Sequence, residues 1–346
     1  MVSNQKFDIR RRKTMKEMVQ RRCDLLVENW KLIHKDFKLE NGIISMVAAS
    51  AFMEKDQTAD AEFMKECRKI LRKKQGVFSE FRGNNELIVT SKMALSGNPE
   101  GYIDDVIEVY KKLQDGKFWD STYRALAAMV ICDSGRYNET DALIEKTNAI
   151  MKGMKAAHPF LTSDEDTCFA VLLAMTDKNV DDILSELEET YQYLKKNFTL
   201  HDNAVYSLSQ VLTTYEGNYE QKREKALGIF EAFKAAGNKY GKDYELASLG
   251  TLIEIQGNIE EVVAEIAEIS EYLKGQKGFG MLDMGKQTRL MFATMIYTQE
   301  YASDNQKTGA SVVSGAVARV VAEQIAMFVA IIAATSSSSA AASSSH

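Results

Sequence analysis

The stretch NAVYSLSQVLTTYEGNYEQKREKALGIFEAFKAAG, residues 203–237, decides the architecture of this chain. Its first part sets Ala204, Val205, Leu208, Val211, Leu212 and Tyr215 at i, i+1, i+4, i+7, i+8 and i+11, one face of an α-helix. Glu216-Gly217-Asn218 interrupts the pattern, since Gly and Asn tolerate the positive φ that ends a helix. A longer helix with alanines at intervals follows. The stretch encodes a helical hairpin with one short and one long arm.

The same grammar returns along the chain. An aromatic residue in a short linker recurs at Phe37, Phe78, Phe118, Phe160, Phe198, Tyr240 and Phe279, at intervals of 38 to 42 residues. Seven marks at a fixed spacing define six repeats of about forty residues. After the aromatic comes a polar residue suited to capping a helix, as at Ser121, Asp164, Asp202 and Asp243. Turns at Ser96-Gly97-Asn98-Pro99, Asp133-Ser134-Gly135-Arg136 and Gln256-Gly257-Asn258 separate short from long helix. The long helix is clearest where Ile259, Val262, Val263, Ile266, Ile269 and Leu273 form a stripe with glutamates between them.

Each unit leaves apolar stripes that only a neighbour can cover, so the units stack. The expected fold is an all-α solenoid of about six helical hairpins. Only two prolines, Pro99 and Pro159, interrupt a chain of 346 residues, which permits helix almost everywhere. The expected organisation is a basic helical cap over 1–40, hairpin repeats over 41–284, apolar closing helices over 285–335 and a disordered Ser/Ala tail over 336–346.

Residues 203–237 are similar to a tetratricopeptide hairpin, although the period near forty exceeds the usual 34. The linker Gly76-Val77-Phe78-Ser79, the run His158-Pro159-Phe160-Leu161-Thr162-Ser163, the segment Ala170-Val171-Leu172-Leu173-Ala174-Met175 and the Ala/Ser-rich ending together resemble the bacterial "domain of unknown function 4003" family. That resemblance implies a helical fold and no assigned activity.

The net charge of -6 disfavours general polyanion binding. The first forty residues nevertheless carry eleven Lys/Arg against six Asp/Glu, with Arg10-Arg11-Arg12-Lys13 and Arg21-Arg22 clustered. A phosphate-binding arm would use such a cluster, but so does a solvated helix face, and no recognition motif accompanies it. Nucleic acid is not the expected partner. Cys23, Cys67, Cys132 and Cys168 form no C-x-x-C pair and read as reduced core residues of a cytoplasmic protein.

Residues 310–335 are rich in Val, Ile and Ala, yet their longest apolar run, 325–334, is too short to span a bilayer. The segment reads as a closing helix pair, a self-association helix or an interfacial membrane anchor. With four histidines and no familiar catalytic or phosphate-loop motif, the sequence calls for no cofactor and assigns no catalytic residue.

One constellation stands out: His158 with Asp164, Glu165 and Asp166 around Thr162 and Ser163. A histidine beside several carboxylates could hold a divalent metal or act as a general base. Equally, Asp164 could cap the following helix while His158 ends the preceding one. The periodic aromatics suit packing between units, whereas Phe81 and Trp119 lie off the series and are candidate surface residues. The expectation is a scaffold that binds a protein or peptide along a concave face lined by the shorter helices. The alternatives are a small-molecule or metal-binding enzyme with a pocket at a repeat junction near His158, and a membrane-associated or self-assembling protein acting through 310–335.

Overall fold

The computed structural model describes residues 15–301, apart from Phe78 and Leu282, together with Val313, Ala316 and Val317. The described residues build seven pairs of α-helices. The pairs are α1 (Glu17–Asp36) with α2 (Gly42–Glu54), α3 (Ala61–Lys74) with α4 (Asn84–Leu95), and α5 (Pro99–Gln114) with α6 (Thr122–Asp133). Next come α7 (Thr140–Ala157) with α8 (Thr167–Ala174) and α9 (Val180–Leu194) with α10 (Asp202–Thr213). Last are α11 (Tyr219–Ala235) with α12 (Leu246–Leu249) and α13 (Ile259–Lys274) with α14 (Lys286–Tyr301).

The all-helical class is as expected, and the count is seven hairpins among the described residues because each aromatic linker lies inside a hairpin. Seven marks therefore mean seven units. Gly97 and Gly217 adopt φ of +73° and +93°, as their turns require. The Asn that follows each of them has a separate task. Asn98 and Asn218 accept hydrogen bonds from the backbone N–H of Gly101 (3.1 Å) and Gln221 (2.9 Å), capping the long helices α5 and α11. The caps expected at Asp164 and Asp202 fall elsewhere: Ser163 forms a capping box with Asp166, and Asp202 is already the first residue of α10.

The long odd-numbered helices form one layer in which each touches the next odd helix, from α1 to α3 and onward to α13. α13 then lies against α1, so this layer closes into a ring. The even helices form the inner layer, with α2, α4, α6, α8, α10, α12 and α14 adjoining in that order. α14 packs back on α1. Trp30 of α1 meets Phe279 edge to face at 6.0 Å across this seam, and Lys16 pairs with Glu265 at 3.5 Å. The N-terminal basic helix thus completes the wall between α3 and α13.

Closure has a consequence for the expected concave face. The inner helices are almost wholly buried, α8 and α12 at every residue, and they enclose polar side chains such as Glu86, Gln210 and Thr294 as well as apolar ones. Among the described residues this burial leaves no open groove along the inner helices. Ala316 and Val317 are also buried and Val313 is half-buried, while the rest of 310–335, the cluster Arg10–Lys13, the tail 336–346 and Phe78 lie outside the described residues.

Alternation of direction puts all long-to-short linkers at one end of the ring and all short-to-long turns at the other. Contacts between adjacent linkers bear this out: Thr122 Oγ1 donates to Glu80 (2.6 Å), and His201 Nδ1 meets Asp243 (2.9 Å). At the opposite end Arg136 donates to the Met175 carbonyl and Lys178 to the Thr213 carbonyl. All seven outer helices carry an acid in the first turn, and six carry a Lys or Arg in the last, with Lys195 directly after α9. Each helix thereby offsets its own dipole. Summed around the ring, the pattern gives an acidic end and a basic end, although neighbouring outer helices are offset enough that Lys112 in the last turn of α5 pairs with Asp141 in the first turn of α7 at 2.9 Å.

The linker aromatics divide into two kinds. Phe37, Phe198, Tyr240 and Phe279 are buried between units, as packing requires. Phe118 and Phe160 instead stand 86% and 99% exposed at the basic end. Phe81, expected at the surface, is buried and packs edge to face on Tyr110 at 5.1 Å, so it plugs the junction between α3 and α5.

Candidate functional site

The basic end carries a cleft of about 470 Å³ between α5 and α7, floored by the starts of α6 and α8. Leu113 and Met151 supply apolar wall, and Thr147, Thr162 and Thr167 supply hydroxyl-bearing wall. Its charged lining is one-sided: Lys117, Arg124, Lys152 and Lys155 face it, against Asp164 alone.

Arg124 is the anchor. It is 4% exposed, and its Nη2 donates to both Asp164 carboxylate oxygens at 2.7 and 2.8 Å. Its Nη1 donates to the Trp119 carbonyl at 2.5 Å and to Gln114. One guanidinium therefore ties two consecutive linkers together, Nη2 serving the carboxylate of one and Nη1 the carbonyl and amide oxygens of the other.

The lysines are differently placed. Lys155 Nζ donates to the carbonyls of Pro159 (2.5 Å) and Thr162 (2.7 Å), and Lys117 Nζ to Asn148 Oδ1 (3.2 Å). Neutral oxygens orient these ammonium groups, and no carboxylate pairs directly with either, although the Lys155 charge acts on Asp166 from farther off. Lys152 has no acidic partner among the described residues. Trp119, 74% exposed, packs its ring edge to face on Phe118 at 4.6 Å beside Lys117, while Phe160 stands in the linker that Lys155 braces.

The residues singled out in the sequence do not converge. His158 is pinned between the rings of Tyr191 (5.0 Å) and Tyr206 (5.3 Å), with Nε2 on Glu188 Oε2 at 2.5 Å. Burial opposes ionisation of Glu188, but the hydrogen bonds from His158 and Gln192 outweigh it and hold the carboxyl below its ordinary range. Asp164 belongs to Arg124. Asp166 turns inward, accepting from the Ser163 N–H (2.8 Å) and from Gln210 Nε2 (2.6 Å). Its burial pushes the carboxyl up to about 6.

Of the constellation His158, Asp164, Glu165 and Asp166, the structure does not bring His158, Asp164 and Asp166 together, because the capping box turns the two aspartates to opposite sides and His158 pairs with Glu188. Among the described residues no three His, Cys, Asp or Glu side chains gather as metal ligands. Of the five candidates, Asp164 lines the cleft and Trp119 stands beside it. The four cations were missed, since each looks like an ordinary helix-terminal charge until adjacent units are brought together.

No helix of the described residues is long and apolar enough to cross a membrane. No solved structure matches this chain. The uncharacterized protein YeaA of Bacillus subtilis (strain 168) is 23% identical over 275 residues, which cover 78% of this chain and 80% of that protein. The family model described as "Protein of unknown function (DUF4003)" matches residues 29–332. That match spans all seven hairpins but for the first turns of α1, and on it the chain belongs to the DUF4003 family.

Proposed function

We propose that this chain is a binding protein whose ligand is a small phosphorylated molecule held in the cleft between α5 and α7. The observation that carries the reading is the surplus of cations on the cleft wall, three of them lysines with no carboxylate partner among the described residues. Ammonium groups held by neutral carbonyl and amide oxygens keep their charge for an incoming anion, and a phosphate supplies several acceptors at once. The volume of about 470 Å³ falls within the range of small-molecule sites. Exposed Phe118, Trp119 and Phe160 nearby offer ring faces for a planar or apolar part of the ligand.

Calorimetric titration with inorganic phosphate, pyrophosphate and AMP tests this. The expected result is saturable binding of at least one of them, weakened about tenfold or more in Lys152→Glu, whose thermal midpoint stays at the parent value. Failure of all three to bind below about 1 mM, or unchanged binding in Lys152→Glu, removes the reading.

A further inference from the structure

The strongest unexplained pattern in the molecule is the distribution of its exposed apolar side chains. Ten large hydrophobic residues are exposed among the described residues, and eight of them stand at the basic end. Every long-to-short linker contributes. Leu39, Val77, Phe118 and Trp119 come from the first three, at 101%, 72%, 86% and 74% exposure. Phe160, Leu200, Tyr244 and Met281 come from the other four. The remaining two, Met18 and Phe63, lie in the first turns of α1 and α3 at the acidic end.

We propose that the basic end of the ring docks on an anionic lipid surface, each linker inserting its apolar tip at the interface while the helix-terminal lysines meet the headgroups. This goes beyond the cleft reading and does not depend on it. Three observations choose a bilayer over another occupant.

The tips are spread around the rim, one or two per linker, rather than gathered into a central pocket-filling cluster of the kind that anchors a protein partner. An interface of headgroups accepts side chains inserted singly. The cations stand in the last turns behind the tips: Lys73 and Lys111 have no carboxylate partner among the described residues, while Lys74, Lys112, Lys234 and Lys274 pair with the exposed carboxylates of Asp104, Asp141, Glu231 and Glu271, which headgroup phosphates would have to displace. Long lysine stems reach headgroup phosphates while their neighbours enter the acyl boundary. Finally, a second copy stacked head to tail would present its acidic end, where only Met18 and Phe63 are exposed large apolar residues, so most tips would meet polar surface.

Flotation of the full chain with vesicles of phosphatidylcholine, with or without about 30% phosphatidylglycerol, tests the proposal. Binding is expected on the anionic vesicles at low salt and is expected to fall steeply with added salt and on neutral vesicles. Trp119 emission should shift to the blue on binding, and W119F should lose that shift because Trp30 is buried in the seam. The triple variant Leu39→Ser, Leu200→Ser, Met281→Ser changes only exposed tips that line no part of the cleft. It should keep the parent thermal midpoint and phosphate binding while losing vesicle affinity at least about tenfold.

No flotation on anionic vesicles at low salt overturns the proposal, as does equal flotation of the triple variant. Concentration-dependent oligomers in size exclusion that the triple variant abolishes, with no vesicle binding, overturn it in favour of self-assembly. Loss of phosphate binding with intact flotation strikes the cleft reading alone.

Discussion

Arg22 on α1 and Glu300 on α14 meet at 2.5 Å although 278 residues separate them. Both side chains are largely shielded, 26% and 10% exposed, at the joint where the ring shuts. Tyr272 hydrogen-bonds Asp24 beside them, and Gly278 presses its backbone against the Trp30 indole.

The seam makes a first prediction. Trp30→Ala removes the ring that fills this joint and should cost about 3–5 kcal/mol in denaturant unfolding. Gly278→Ala should also destabilise: its φ is +90°, and a Cβ there would stand 2.3 Å from Trp30 Cη2. Arg22→Ala should cost less, about 1–2 kcal/mol, because part of the pair is solvated. If Gly278→Ala unfolds at the parent denaturant midpoint, the seam is looser than described.

A second prediction concerns Glu86, 5% exposed and surrounded by Arg68, Arg72 and Arg82 at 2.6 to 2.8 Å. Burial opposes its ionisation, but the Arg72 hydrogen bonds and the three positive charges prevail and hold its carboxyl below the ordinary range. Its contribution is therefore complete above the unfolded value of about 4.3 and is lost as pH falls through the lower folded value. Glu86→Gln should lose about 2–3 kcal/mol at pH 7, and the gap from the parent should narrow below about pH 4. Unfolding curves at pH 7 and pH 3.5 read both.

Asp166 gives the opposite sign. Its carboxyl is raised to about 6 by burial, so the stability it contributes is full below its unfolded value of about 3.9 and is lost as pH rises through about 6. Asp166→Asn does not titrate. Relative to the parent it should gain stability between pH 4 and pH 7, by at most about 3 kcal/mol, offset at every pH because its single amide oxygen can accept from only one of the two donors, Ser163 N–H and Gln210 Nε2. A parent-to-variant difference that is flat across this range contradicts the assignment.

The thiols supply a fourth prediction. Burial pushes Cys23 and Cys132 up to about 12 and Cys67 up to about 11, and Cys168 is buried as well. At pH 8 a thiol at about 11 is ionised to about one part in a thousand. Native protein should react with a disulfide reagent only over hours, and all four cysteines should react within minutes in denaturant. Rapid labelling of any one in native buffer would show that its unit opens readily.

Much of the fold is written locally. The apolar face from Ala204 to Tyr215, the Gly-Asn turns and the forty-residue spacing of the linker aromatics give helix, hairpin and stack without reference to anything distant. Ring closure is not written that way. Arg22, Trp30, Glu300 and Gly278 sit in unremarkable surroundings, and only the accumulated turn of seven units brings them together. The aromatic series also hid two populations, because period alone does not say whether Phe160 faces inward like Phe198 or outward.

The candidate site was half legible for the same reason. His158, Asp164 and Asp166 are neighbours in sequence, but a single capping box sends Asp166 to Gln210 and leaves Asp164 to Arg124, forty residues earlier. The cleft depends on that distant arginine and on Lys117, which belong to the preceding unit.

The Arg22 to Glu300 joint bears on how such a chain can change its length. A linear array absorbs the gain or loss of one unit at its tip, where a single interface is remade. A closed wall has no tip. Deleting one forty-residue hairpin would demand a sharper bend at every remaining junction, and adding one would pull Trp30 away from Phe279. The number of units is therefore held by the seam, and variation in length falls to the linkers, which can grow at the rim without disturbing the circle.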